Sequence, residues 1–228
     1  MAPATALNDS CKPFHLRDCA LVSLSTGLKA QTLAEFHDGL MRVDAASIYH
    51  HFWGRFLAPR FSEPEYNNDF SSWVYRALHE KALAEKLSMI NPTSYTTIDH
   101  IREEVVDCIA EHLDLSDYMA WAKADQRFYF LRSQIVVFDT NRYLQQPEDL
   151  LATIPTMSLG SVFYHFIDAR RRTEECCDDF SAWLKGWGEE YVDLCHQLTT
   201  LDPFFSSLNE LRWRVQQLLQ KRLEGGGQ

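Results

Sequence analysis

Glycine is scarce in this chain: there are nine, and three of them sit in the closing run Glu224-Gly225-Gly226-Gly227-Gln228. The remainder form no glycine-rich phosphate loop, which argues against nucleotide binding by a cradle of backbone amides. Neither H-E-x-x-H nor G-x-S-x-G occurs, so the common zinc-peptidase and serine-hydrolase signatures are missing. Cysteines number six: Cys11, Cys19, Cys108, Cys176, Cys177 and Cys195. None has a metal or C-x-x-C redox spacing, and they read as reduced, structural thiols. Positive charge is short as well, 22 Lys+Arg against 32 Asp+Glu, a net charge of −10. The densest basic run, Arg170-Arg171-Arg172, is answered at once by Glu174 and Glu175 and reads as a solvated helix end. An acidic chain of this kind is a poor match for nucleic acid or an anionic membrane surface. No apolar run reaches the length of a membrane span, and Met1 to Asp9 lacks the regions of a secretory signal. The expected location is the cytoplasm.

What is there is a globular composition, 46% hydrophobic and 13% aromatic, enough to fill a substantial core. It is ordered by an internal correspondence. Ser47-Ile48-Tyr49-His50-His51-Phe52 returns 114 residues later as Ser161-Val162-Phe163-Tyr164-His165-Phe166, and the same offset runs back without a gap to Phe14 and Phe128. Two copies of about 100 residues point to a duplicated domain and not to a solenoid. The expected layout is a flexible lead-in 1–12, a first repeat 13–113, a connector 114–126, a second repeat 127–223 and a flexible tail 224–228.

Within each repeat the period of the apolar residues assigns the elements. Phe14, Leu16, Ala20, Val22 and Leu24 alternate as in a short strand, with Asp18 as a defect and Thr26-Gly27 as its end. Gly27 is matched by Asn141; Gly and Asn tolerate positive φ best, so both copies should use one left-handed turn here. Thr32-Leu33-Ala34-Glu35 is a capping box that opens a helix with Leu33, Phe36, Leu40 and Val43 inside. Pro59 and Pro64 bracket a loop. Asn68-Asp69-Phe70-Ser71-Ser72-Trp73 reads as a capped helix start and returns as Asp178-Asp179-Phe180-Ser181-Ala182-Trp183. The fold class expected is mainly α with short β-strands (α+β), two homologous half-domains related by a pseudo-twofold axis.

Thr26-Gly27, Ser47 to Phe52, Asn68 to Trp73, Leu83-Ala84, Asn91-Pro92 and Ile101-Arg102, with their second-half equivalents, resemble the pattern of a prokaryotic family, domain of unknown function 5752. The departures are Asn141 for Gly, Asp178 for Asn, and Cys195 where Ala84 stands. The resemblance implies no catalytic residue. It does imply a setting, since members of the family are often encoded near sugar-nucleotide or trehalose-type glycosyltransferases.

Polar residues identical in both copies make the candidate site. His51 and His165, each on an apolar stripe, could be general bases or metal ligands oriented by Asp69 and Asp179. The reading favoured is the plainer one, neutral core histidines bonded to a carbonyl and a hydroxyl such as Ser71 or Ser181. Asp69 and Asp179 are most simply N-caps, and Arg102 and Arg212 are expected to pair with them. His50 and Tyr164 hold equivalent positions and differ, so a site kept in one half only would show there. Trp187, between Gly186 and Gly188, is a candidate contact point. No metal is expected, or His51 and His165 if any, and no cofactor. The function expected is a non-enzymatic interaction or regulatory module with a protein partner, a glycosyltransferase among them, and with a homodimer left open. The alternatives are a metal-binding protein or hydrolase using the repeated His/Asp pairs, and a sensor of a sugar or sugar phosphate.

Overall fold

The computed structural model describes residues 12–58, 65–115, 120–173, 175–204 and 207–223. The lead-in up to residue 11, the Pro59/Pro64 loop, Glu174 and the tail lie outside the described residues. The fold is mixed α/β, mostly helical, with one two-stranded sheet among the described residues. The strands are β1 (Phe14–Thr32) and β2 (Lys123–Leu144). Helices α1 (Leu33–Arg42), α2 (Ala45–Trp53), α3 (Asp69–Leu78), α4 (Lys81–Ser88) and α5 (Ile98–Leu113) separate them. After β2 come α6 (Asp149–Thr153) and α7 (Leu159–Val162), which passes through a wide π turn (Phe163–Asp168) into α8 (Ala169–Arg172). The chain ends in α9 (Asp179–Leu184), α10 (Val192–Thr199) and α11 (Leu208–Leu223). No single helix among the described residues is long and apolar enough to cross a membrane.

The strands are not short. β1 runs 19 residues and β2 runs 22, through the points where the alternation breaks. Thr-Gly does not end the first. Gly27 has φ 80° and Asn141 has φ 54°, each inside a continuous strand, as in a bulge. The reason is the preceding threonine. Thr26 Oγ1 accepts the Leu28 N–H and donates to the Phe130 carbonyl at 2.7 Å. Thr140 Oγ1 likewise accepts the Arg142 N–H and donates to the Leu16 carbonyl. The side chain thus replaces the ladder bonds that the left-handed residue displaces, and the strand goes on.

The chain divides into two compact units, residues 1–19 with 137–228, and residues 20–136. Their bounds differ from those expected from the sequence, 13–113 and 127–223. In the first-named unit the helices from α6 onward take their strand from residues 14–19, before the first helix of the chain. In the second, α1 to α5 take theirs from residues 123–136, after the last of those helices. Helices α6 to α11 therefore pack on a strand start that precedes the other set of helices in sequence, and α1 to α5 on one that follows them.

In unit 20–136 the core is aromatic: Phe36, Phe52, Phe70 and Phe130 are buried, and Phe36 meets the Phe128 ring at 4.9 Å and the Trp73 ring at 4.8 Å. Thr32 caps α1 through the Glu35 N–H, and Glu35 reaches back to the Gln31 N–H. In the other unit Phe14 lies 5.0 Å from the ring of Phe180 and 5.4 Å from that of Trp183. There Gly160 admits the strand: a Cβ on it would meet the Cys19 carbonyl oxygen at 2.3 Å. The Cys19 thiol donates to the Gly160 carbonyl, and burial, with Asp168 and Asp18 nearby, pushes its pKa up to about 12. The described cysteines are all free thiols.

Candidate functional site

In unit 20–136, α2 carries His51 on the face turned to the strand. Its Nε2 accepts the Leu131 backbone N–H at 3.1 Å, and its Nδ1 faces Asp69 Oδ2 at 3.0 Å. Because Nε2 accepts, the ring proton sits on Nδ1 and is donated to the carboxylate. Trp73, one turn into α3, donates its indole N–H to the Gln126 carbonyl at 2.7 Å. The Phe128 ring lies between them, 4.7 Å from the ring of His51.

The other unit repeats this bond for bond. His165 Nε2 accepts the Arg17 N–H at 2.9 Å, and Nδ1 faces Asp179 Oδ2 at 2.8 Å. Trp183 donates to the Lys12 carbonyl at 2.9 Å, and Phe14 lies 5.0 Å from the His165 ring. Leu131 and Gln126 stand 114 residues after Arg17 and Lys12. Both histidines are thus clips that hold a strand start. All four of their ring nitrogens are engaged, each pair within its own unit; the partners are the carboxylates of Asp69 and Asp179, paired with these histidines from the sequence, and a backbone amide, not the hydroxyl and carbonyl of the core reading.

Neither aspartate is an N-cap. The caps are Asn68 and Asp178, whose side chains accept the Ser71 and Ser181 N–H groups. Asp69 and Asp179 occupy the first helical position, where a carboxylate is favoured by the helix dipole and has no capping bond to make, so the side chain is free to reach the histidine. Asp178 is fully buried, and burial raises its pKa against the opposing bonds from Ser181. The arginines do not pair with the aspartates. Arg102 donates to the carbonyls of Leu40 and Val43, and Arg212 to that of Met157, 114 residues after Val43. A guanidinium satisfies the orphan carbonyls where α1 ends, which ties a late helix to an early one.

The units differ beside the clip. His50 is buried and its Nδ1 lies 2.7 Å from Ser133 Oγ. Burial, with His51 beside it, lowers its pKa to about 4. Tyr164, at the equivalent position, is covered by Arg172, whose guanidinium carbon lies 3.9 Å from the ring centroid. Arg172 also donates to Asp179 Oδ2 at 2.8 Å, to the Tyr164 carbonyl at 2.9 Å and to Asp168 Oδ2 at 2.8 Å. Arg172 and Asp168 have no counterpart by the offset, which gives Ala58 and Gly54. Nothing repeated marked them, and the basic run that holds Arg172 looked like a solvated end. Trp187 is half-buried against Trp183, with ring centroids 5.7 Å apart.

His50, His51 and Asp69 each bring one potential ligand atom within 4.8 Å of the others. A metal ion on His51 Nδ1 would have to displace the proton to Nε2, against the Leu131 N–H, leaving two donors face to face. The set suits a donor of hydrogen bonds better than a Lewis acid.

A solved structure, that of OrfY from Thermoproteus tenax, superposes with a TM-score of 0.79 at 24% identity, covering 92% of this chain and 95% of that one. It shows the fold alone. No functionally curated protein matches the chain. The model of a family of unknown function, DUF5752, matches residues 11–220, and the chain belongs to that family.

Proposed function

We propose that this chain is a protein-binding module without a catalytic centre. The observation that carries this is the engagement of both nitrogens of His51 and of His165, which leaves neither ring a lone pair for a substrate proton. A general base needs that lone pair within reach of the substrate. What supports binding is the strand pair of unit 20–136. The sheet has two strands, so among the described residues neither has a second neighbour. The run Ala20 to Thr26 has no charged side chain, nor has Ser133 to Val136, and Val22 and Val136 are 43% and 37% exposed.

The occupant we assign to this stretch is a second copy of the chain. Two chains of net charge −10 repel over most of their surfaces, and an uncharged strand edge is where a like-charged copy can approach at least cost. Such an edge is also self-complementary, as an isologous dimer requires. A setting beside a sugar or glycosyltransferase system rests on the family resemblance alone and sets the order in which further partners are tried. Sedimentation velocity across a dilution series tests the assignment. The parent should sediment as a dimer, and Val22→Lys/Val136→Lys as a folded monomer. A parent that stays monomeric throughout, or a double variant that stays dimeric, overturns it.

A further inference from the structure

An edge strand presents backbone N–H and C=O groups that must find a partner or water. Within unit 20–136, side chains of the chain itself take some of the strand N–H groups. His51 takes that of Leu131 on β2, and the Glu35 carboxylate takes that of Gln31 on β1 at 2.7 Å. The left-handed Gly27 separates Gln31 from the run of residues 20–26. Across that run the pattern stops. From Ala20 to Thr26 no backbone N–H has a side-chain acceptor among the described residues, and Ala20, Val22, Ser23 and Ser25 are exposed. The matching stretch of β2 in this unit is shorter and guarded: Arg132 opens it, and the Ser133 hydroxyl is held by His50.

We infer that two copies of the chain join through the edge of β1, by antiparallel pairing of residues 20–26 with the same residues of the second copy, into one continuous sheet in the order β2–β1–β1–β2. This rests on the self-association proposed above and adds to it a strand, a direction and a register. The run is centred on Ser23. A twofold axis there reverses the second strand and sets Ser23 against Ser23, Val22 against Leu24, Leu21 against Ser25 and Ala20 against Thr26. No two charges are opposed, so the repulsion of like charges directly across an antiparallel pair does not arise. Each Val22, 43% exposed in the single chain, meets a Leu24, and the two pairs cover an apolar strip. Natural edges are kept single by lysine, proline or a bulge. Residues 20–26 hold neither lysine nor proline, and the left-handed Gly27 ends the pairing without preventing it.

The first test is hydrogen exchange on the parent chain, read amide by amide over the concentrations at which sedimentation shows dimer forming. With about nine chains in ten dimeric, an amide that exchanges only from the monomer slows about 10-fold. Outward amides within residues 20–26 should slow by that factor, and those of residues 132–136 should not. The second test is cross-linking of Ser23→Cys beside Gln134→Cys, with oxidised glutathione as the oxidant that takes up the two electrons and two protons. Residues opposed in an antiparallel pair have Cα atoms about 4.5–5.5 Å apart, within the span of a disulfide. Ser23→Cys should give a covalent dimer joined through position 23, and Gln134→Cys should give none. A dimer whose new protection falls outside residues 20–26, or one that Ser23→Cys does not lock, overturns the inference and leaves self-association standing. A parent chain that stays monomeric at every concentration overturns both. The exchange map needs no substitution, so it decides even where a variant fails to fold.

Discussion

A buried imidazole that accepts one backbone N–H and donates to one carboxylate is worth most through what its loss leaves behind. Removing it strands a part-buried amide, which costs up to about 1–3 kcal/mol, and takes away ring packing besides. His165→Ala should therefore destabilise the protein by about 3 kcal/mol in urea unfolding, with the Arg17 amide losing its protection from hydrogen exchange. A catalytic histidine would show neither effect, because active sites give up stability for access. Asp178 supplies a second prediction, on pH. Its folded pKa is raised by burial, so its contribution is fully present below the unfolded carboxylate value near ~4 and is lost as pH rises through the folded value. Asp178→Asn, with the residue that caps α3 at position 68, removes the buried charge and keeps an acceptor for the Ser181 N–H. It should raise the urea midpoint at neutral pH, and the gain should fade as the buffer is taken below the ordinary carboxylate range. A gain that is unchanged in acid would mean that the charge is not its source.

At the scale of elements, much was legible. The Thr32–Glu35 box, the apolar stripe of α1 and the capped starts of α3 and α9 are local rules with local outcomes, although the caps fall on Asn68 and Asp178, one residue before the aspartates expected. Positive φ at Gly27 and Asn141 was legible too, from nothing more than the two residue types that tolerate it. What the alternation could not show is that the strand continues past those residues. That depends on Thr26 and Thr140 reaching a carbonyl of the other strand, a long-range bond with no periodicity. The same limit hid the arginine roles: Arg102 serves carbonyls about 60 residues away, and an ion pair with an aspartate was the only partner the local pattern offered. Gly27→Asn should be nearly neutral in thermal unfolding. Gly27→Val, which forces a β-branched side chain into the left-handed region, should cost about 1–2 kcal/mol. If valine is tolerated as well as asparagine, the left-handed turn is not a constraint on this strand.

At the scale of the molecule, the candidate residues were legible as a set, and their purpose was not. The 114-residue correspondence picked out His51, His165, Asp69, Asp179, Trp73 and Trp183, and in each unit these converge on a strand start: residues 126–131 in one, residues 12–17 in the other. Nothing in the order of the sequence says that helices before position 113 are completed by a strand after position 122. The boundary drawn from the repeats and the boundary of the compact units therefore make opposite predictions about fragments. Residues 13–113 keep α1 to α5 and lose Phe128, Phe130, the Leu131 amide and the Gln126 carbonyl. His51, Trp73 and Phe36 then face water with their bonds unmade, and so large an exposed aromatic cluster should leave the fragment non-cooperative or aggregated. Residues 20–136 keep the clip whole and should unfold in one cooperative transition, with Trp73 fluorescence reporting a buried indole. If 13–113 folds cooperatively and 20–136 does not, the strand after position 122 is not what completes those helices, and the clip described for His51 is decoration on a core that stands without it.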